Sequence, residues 1–110
     1  MLQGLAPIIN TQTRVVILGS FPGVASLTAQ QYYAHPRNHF WPLLSALLQQ
    51  DLVSLPYAER LAMLLQYGIG IWDVYAACER KGSADHAIHH AQENSLAMLV
   101  QWAPYLRATA

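Results

Sequence analysis

The chain has 110 residues, of which 54% are hydrophobic and only 11% charged, so it has the length of one domain and enough apolar side chains for a core. This composition excludes a disordered segment, a coiled coil and a densely charged nucleic-acid scaffold, because all of these need more charge. Six basic residues balance six acidic ones, so composition alone indicates no nucleic-acid partner.

The sequence carries no pattern typical of export or of membrane insertion. Its longest uncharged membrane-like stretch, residues 40–50, is far shorter than the roughly 20 residues that a spanning helix needs. No signal-peptide pattern opens the chain, and the single cysteine, Cys78, has no partner for an internal disulfide. We therefore expect a cytoplasmic protein in which Cys78 is a small buried hydrophobe rather than a nucleophile.

The first half of the chain predicts one strand and two helices. A β-branched apolar run over residues 14–19 predicts a buried strand, and a long polar and aromatic loop follows over residues 20–37. Apolar residues at helical spacing predict a helix over about 39–50, with Asn38 in the N-cap position. A second amphipathic helix is expected from Pro56 to a stop at Gly68.

The second half predicts another strand and another helix. Residues 69–74 resemble a second buried strand, and Asn94 is expected to cap a third helix that Pro104 ends. The order of elements is that of an α/β domain, in which helices cover both faces of a parallel sheet. We therefore predict an α/β three-layer sandwich with a central parallel sheet. Two strands make a small sheet, so either short strands escape detection or part of the domain is missing.

Two stretches carry the residues most suited to chemistry. Residues 19–23, Gly-Ser-Phe-Pro-Gly, leave the first strand, and such a turn lets backbone amides approach a ligand, although ordinary turns look the same. Residues 32–41 gather two tyrosines, two histidines, an arginine and an asparagine beside a helix start. Rings and amides at the carboxyl edge of a parallel sheet suit a pocket for a flat heterocycle. The alternative is that the aromatic side chains pack the loop and Asn38 only caps the helix.

A histidine cluster near the end of the chain has two interpretations, a metal site or a solvent-exposed helix face, and we favour the second. His86 and His90 are four residues apart and would chelate a divalent cation on a helix, with His89 and Asp85 nearby. A fourth ligand with suitable spacing is lacking. We predict a solvated helix face and no metal site.

The motifs GSFPG and, about a dozen residues later, YYAHPRNHFWP resemble those of the uracil-DNA glycosylase superfamily. Within it, they are most similar to the hypoxanthine (deoxyinosine) DNA glycosylase family, and the stretches GIWDV and Glu93-Asn94 resemble that family too. The resemblance covers residues 14–107 and is most specific over residues 32–41. It implies a uracil-DNA-glycosylase-like fold and an enzyme of base excision repair. Such an enzyme hydrolyses the N-glycosidic bond of hypoxanthine in double-stranded DNA after flipping the nucleotide.

The resemblance also implies which residues act. The catalytic role falls on Asn38, whose amide oxygen would orient a water, since an amide is too weak a base to deprotonate one. It implies a substrate-binding set: Gly19, Ser20, Phe21, Tyr33 and His35. In this set the tyrosine stacks on the extruded base and the backbone amides of the turn face it, whereas the histidine is expected to pack the loop rather than act as a general acid. We expect Asp73 to hydrogen-bond local backbone.

The remaining expectations concern cofactor, assembly and completeness. Lys81 is the only lysine, so we expect a monofunctional hydrolase without a Schiff base, without a cofactor or metal, and monomeric. The strand and the Ser/Pro-rich wedge loop that the family places near its carboxyl end are not found after Arg107. We therefore expect residues 1–110 to form one incomplete domain that lacks contacts offsetting base extrusion. Uracil or mismatch specificity, and a non-catalytic base-binding remnant, remain open as alternatives.

Overall fold

A computed structural model describes all 110 residues. It contains six strands and four α-helices, with a 3-10 turn at Asp85–Ala87. In chain order these elements are β1 Leu2–Gln3, β2 Val15–Gly19, α1 Val24–Ala29, α2 Phe40–Leu48, α3 Tyr57–Gln66, β3 Ile69–Asp73, β4 Tyr75–Glu79, β5 His89–Glu93, α4 Met98–Trp102 and β6 Ala108–Thr109. No helix has the length and apolar character needed to cross a bilayer.

The strands form two sheets of three. A parallel sheet has the order β3-β2-β6, and an antiparallel sheet has the order β1-β4-β5. The predicted strands at residues 14–19 and 69–74 are confirmed as β2 and β3, which pair in parallel from Val15 opposite Ile69 to Gly19 opposite Asp73. Because the two strands end at the same level, the residues at their carboxyl ends share one edge of the sheet.

Side chains that alternate along β2 and β3 bury opposite faces of the parallel sheet. Ile71 belongs to a core cluster with Trp41 of α2 and Leu64 of α3. The next residue, Trp72, belongs to a second cluster with Leu99 of α4. Successive strand residues point to opposite faces, so helices cover the sheet on both sides. The predicted α/β class with a central parallel sheet between helical layers is confirmed.

The predicted helices at residues 39–50 and 56–68 are confirmed as α2 and α3. Gly68 adopts a φ of +76°, a conformation that favours glycine, directly after the turn that ends α3. The prediction of an uninterrupted loop over residues 20–37 is wrong, because it contains the six-residue helix α1. Its first N–H, at Val24, donates to the Ser83 hydroxyl 2.9 Å away. A contact so distant in sequence leaves no local signal.

Of the two explanations left open for the small sheet, the first is confirmed, because short strands had escaped detection. β4 and β5 form an antiparallel pair, and every residue of β5 is exposed, so no buried face marks it in the sequence. The region predicted as a solvated helix face of histidines is instead the 3-10 turn followed by β5. The expectation of no strand after Arg107 fails as well, since β6 pairs in parallel with β2.

The third predicted helix exists but is capped differently. α4 begins at Met98, whereas the expected capping residue, Asn94, lies four residues earlier. The Asn94 side-chain amide donates to the backbone oxygen of Asp73 at 2.8 Å. Asn94 therefore fixes the end of β3, where the candidate site lies, rather than the start of a helix.

Candidate active site

A cavity of about 430 Å³ opens at the carboxyl ends of β2 and β3. The six residues proposed from the sequence all line it: Gly19, Ser20, Phe21, Tyr33, His35 and Asn38. The structure thus brings residues 19–23 and residues 32–41 together, as a shared binding site requires. It adds other lining residues that sequence reasoning did not place there, above all Asp73, Ser83 and Asp85.

Asp73 is the buried acidic group of this cavity. Its residue surface is only 5% exposed, and its Oδ2 atom has no hydrogen-bond partner. Burial, reinforced by the negative charge of Asp85, raises the pKa of Asp73 to about 6. The expectation that this carboxyl hydrogen-bonds local backbone is wrong for Oδ2. The position of Asp73 as the last residue of a buried apolar strand is the sequence signal that could have identified it.

Asn38 lies exposed at the mouth of the cavity. Its Oδ1 atom accepts a 2.8 Å hydrogen bond from the N–H of Phe40, the first residue of α2. The predicted capping contact is therefore present, although the backbone cap position itself belongs to His39. Because an N–H donor faces the oxygen, the Asn38 amide keeps two N–H donors and one oxygen lone pair for a ligand.

Tyr33 is held in an unusual backbone conformation over the cavity. Its φ is +54°, a region that a bulky side chain rarely adopts and that often marks functional sites. One face of its ring stacks on Phe40 with a centroid separation of 3.7 Å and an angle of 12°. The next N–H, of Ala34, donates to the buried Ser26 hydroxyl at 3.1 Å, which ties the segment to α1.

The Tyr33 hydroxyl reaches the floor of the cavity. A Cβ atom built on Gly19 would lie 3.4 Å from this hydroxyl and 2.5 Å from Oδ1 of Asp73, so the three residues converge. Burial, together with the nearby carboxyl of Asp73, raises the pKa of Tyr33 to about 12. The hydroxyl therefore stays protonated at neutral pH and is available as a hydrogen-bond donor.

The turn that follows β2 forms one wall. The Ser20 hydroxyl donates to Oδ1 of Asp85 at 2.7 Å, and the backbone N–H groups of Ser20 and Phe21 donate to no protein acceptor. The Phe21 ring is buried and lies 5.3 Å below the guanidinium of Arg80. Two residues of this wall therefore carry backbone donors without a protein partner.

His35 lies exposed at the rim of the cavity, whereas Cys78 is buried, as expected from the sequence. The His35 Nδ1 atom accepts the N–H of Arg37 at 3.0 Å, so the imidazole organises its own loop at the rim. Cys78 is fully buried, outside the cavity, and burial raises its pKa, which suits a packing role rather than a nucleophile.

A parallel sheet between helices, with its cavity at the carboxyl edge of two adjacent strands, is typical of α/β proteins that bind a nucleotide or base. The family model of the Uracil DNA glycosylase superfamily matches residues 6–110, and the chain belongs to this superfamily. The resemblance stated from the motifs is confirmed.

Relatives refine this placement. The chain is 42% identical over 105 residues to a protein of Methanosarcina barkeri named hypoxanthine DNA glycosylase. It is 35% identical over 105 residues to a protein of the same name from Methanosarcina acetivorans. In each case the match covers 96% of this chain and 66% of the relative, so the chain spans just under two thirds of these relatives.

A solved structure agrees with the fold. A solution NMR structure of a Methanosarcina acetivorans protein, described as a candidate uracil DNA glycosylase, superposes with a TM-score of 0.88 at 34% sequence identity. The superposition covers 97% of this chain and 66% of that one. The architecture around the cavity is thus shared with a protein of the same superfamily.

Proposed function

We propose that this chain forms the base- and sugar-binding part of a DNA glycosylase that removes hypoxanthine from deoxyinosine in DNA. The observation that carries the proposal is the convergence of Asp73, Tyr33 and Asn38 on one cavity beside the free amides of the turn after β2. The names of the two Methanosarcina relatives support hypoxanthine as the substrate base.

The depth of each side chain in the cavity indicates which part of the substrate it would contact. A flipped nucleotide enters base first, so the buried Asp73 faces the base and the exposed Asn38 stays with the sugar at the mouth. Hypoxanthine carries an N1–H donor, for which an ionised carboxylate is a strong acceptor. Adenine presents a lone pair at the same position and repels that carboxylate. An ionised Asp73 therefore selects the deaminated base over its parent.

At the sugar, the task is to hold a water against C1′ while the glycosidic bond breaks. The remaining lone pair on Oδ1 of Asn38 accepts a hydrogen bond from that water and orients it. The amide does not remove the proton. The C1′–N bond breaks first and its electron pair leaves with the base. The water oxygen then bonds to the oxocarbenium-like C1′, and the proton it loses passes to the departed base anion or to solvent, so no strong base is needed.

The departing base takes the bonding electrons and becomes negatively charged. The neutral hydroxyl of Tyr33 lies beside Asp73 at the cavity floor, and the backbone N–H groups of the lining residues Ser20 and Phe21 donate to no protein acceptor. We propose that such donors stabilise the developing negative charge. One face of the Tyr33 ring stacks on Phe40, and we propose that the base stacks on the opposite face. Base–aromatic stacking contributes roughly 1–3 kcal/mol.

The experiment is excision by a chimaera in which the 105 matched residues of the Methanosarcina barkeri relative are replaced by those of this chain. We expect alkali-labile sites in a duplex that contains one inosine, and none in the same duplex with adenine. Excision should be lost in the Asn38→Ala chimaera. A folded chimaera without activity on inosine would refute the proposed function, and full activity of the Asn38→Ala chimaera would refute the role of Asn38.

Uracil is the second candidate base, because the solved relative is described as a candidate uracil DNA glycosylase and uracil has an equivalent ring N–H donor. A duplex with one uracil, assayed in parallel, separates the two specificities. Faster excision of uracil than of hypoxanthine would reassign the substrate while keeping the cavity as the active site.

The wider setting follows the same proposal. We propose double-stranded DNA with a deaminated base as the partner, base excision repair as the process, and a cytoplasmic monomer without a cofactor as the working form. The buried, unpaired thiol of Cys78 supports a reducing compartment. Gel filtration on DNA and without it measures the oligomeric state.

A further inference from the structure

A second cluster of functional side chains lies outside the cavity, where β5 pairs with β4. Glu79, His89 and His90 place one potential ligand atom each within 4.8 Å of one another. The Nδ1 atom of His90 lies 2.9 Å from Oε2 of Glu79, and the Nε2 atom of His89 lies 3.5 Å from the same oxygen. None of the three lines the cavity, and both imidazoles are exposed to solvent.

A β-bulge brings these two consecutive histidines to one carboxylate. In a regular strand neighbouring side chains point to opposite faces. Here two steps along β4, from Ala77 to Glu79, are opposed by three steps along β5, from Gln92 to His89. His90 lies in this bulge with a φ of +51°, which is rare for any residue but glycine. Such local strain is characteristic of functional sites.

The tautomer of His89 makes its free nitrogen a ligand. Its Nδ1 atom lies 3.0 Å from the backbone oxygen of Ala87, which has only lone pairs, so Nδ1 carries the hydrogen of the neutral ring. In this neutral form the Nε2 lone pair is directed at the Glu79 carboxylate, 3.5 Å away, so that two acceptors face each other. A backbone carbonyl that holds the second nitrogen of a histidine is the usual support of a metal ligand.

We propose that Glu79, His89 and His90 form a binding site for a divalent cation of the zinc type. Two imidazoles and a carboxylate are a ligand set that zinc favours, and water fills the position that remains open. A cation relieves the facing lone pairs of His89 and Glu79. The proposal does not depend on the glycosylase activity.

Cation binding at this place would fasten the exposed strand β5 to β4. It would also immobilise the 3-10 turn, because His89 holds Ala87 of that turn. The same turn carries Asp85, which accepts the Ser20 hydrogen bond at the cavity wall. The site is therefore placed to stabilise the fold and to steady one rim of the cavity.

The test uses the full 110-residue chain without an affinity tag, since a histidine tag would bind the same ions. Titration with Co²⁺, followed by its visible absorption, and competition with Zn²⁺ measure stoichiometry and affinity. We expect one equivalent of metal per chain. His89→Ala and Glu79→Gln should each weaken Zn²⁺ binding at least tenfold, because losing even an outer-shell partner costs about 10–100-fold. His86→Ala, an exposed histidine in the adjoining turn, is the matched control and should bind like the parent.

A second readout is the thermal unfolding midpoint, which should rise with Zn²⁺ in the parent and in His86→Ala but not in Glu79→Gln. Glu79→Gln keeps the shape of the side chain, so it separates ligand loss from misfolding. Absence of stoichiometric Zn²⁺ binding by the parent, or binding that survives both His89→Ala and Glu79→Gln, would overturn the proposal.

Discussion

Gly19 and Asp73 lie opposite each other at the carboxyl ends of two parallel strands, and only a residue without a side chain fits in the first position. A Cβ atom on Gly19 would lie 2.5 Å from Oδ1 of Asp73, closer than real Cβ contacts come. The position of the Asp73 carboxyl at the floor of the cavity thus requires that residue 19 has no side chain. The φ of Gly19 is not positive, so packing rather than backbone conformation demands glycine here.

The first prediction concerns Gly19→Ala. The added methyl displaces the Asp73 carboxyl, and we expect overpacking to lower the free energy of unfolding by about 1–3 kcal/mol. Base binding should weaken with it, because the acceptor for the base moves. Urea unfolding and titration with free hypoxanthine measure the two effects. Gly23→Ala is the comparison, since its methyl meets only the Ser83 side chain at 3.2 Å, and we expect the smaller loss that follows from a small shift of the Ser83 hydroxyl bonded to Val24. Equal stability of Gly19→Ala and the parent would contradict the close contact.

The second prediction is a pH-dependent gain in stability on Asp73→Asn. The pKa of Asp73 is about 6 in the folded chain and near 3.8 when unfolded, so between these values the folded state binds the extra proton. The contribution of the Asp73 carboxyl to the free energy of unfolding is therefore fully present below about pH 4 and is lost as the pH rises through 6. The loss reaches about 3 kcal/mol at pH 8. Asparagine carries no charge and avoids it.

Urea unfolding at pH 4 and pH 8 tests this sign. Asp73→Asn should gain stability over the parent at pH 8 and not at pH 4, while its affinity for hypoxanthine falls. Asp51→Asn is the matched control, because hydrogen bonds from Ser54 lower the pKa of that carboxyl and the gain at pH 8 should be absent. A stability difference between Asp73→Asn and the parent that is the same at both pH values would show that Asp73 is not destabilised by its charge.

These residues also show what the sequence could predict. Strands β2 and β3 and helices α2 and α3 were predictable because each buries a periodic set of apolar side chains. The six proposed site residues came from the resemblance of their motifs to the family, and the structure places all six around one cavity at the same sheet edge. The depth of Asp73, and hence its pKa, depends on residues packed around it from elsewhere in the chain, which no local pattern reports.

The prediction of a helical face with His86 and His90 was wrong for a different reason. His86 and His90 are four apart, and that spacing favours one helical face only if the backbone is helical. The segment instead forms the strand β5 because its backbone pairs with β4. This pairing requires no buried side chains, so the sequence shows no apolar pattern. The bulge then unites His89 with His90, a pairing that neither helical nor strand periodicity predicts. Strand pairing across a bulge is a tertiary property.

The third prediction concerns the stacking pair of Tyr33 and Phe40. If the free face of the Tyr33 ring receives the base, Tyr33→Leu should weaken binding of free hypoxanthine roughly ten- to hundredfold, since stacking contributes roughly 1–3 kcal/mol. Tyr33→Phe keeps the ring and removes only the hydroxyl, so its binding should fall much less. Quenching of intrinsic fluorescence measures both affinities. Equal affinities of the leucine and phenylalanine variants would exclude stacking on this ring.

The fourth prediction separates the two tasks of Asn38. Its oxygen caps α2, so Asn38→Ala should lower the free energy of unfolding by about 1 kcal/mol. Serine caps helices as well as asparagine does but lacks the amide, so Asn38→Ser should keep the stability of the parent. In the chimaera both variants should lose excision of hypoxanthine by about a hundredfold or more. Alanine has no acceptor oxygen, and the serine oxygen is one bond closer to the backbone and should not reach the water. Urea unfolding and single-turnover excision are the two measurements. A serine variant that excises hypoxanthine at the parental rate would show that Asn38 only caps the helix. Asp73 would then be the next candidate for the group that orients the water.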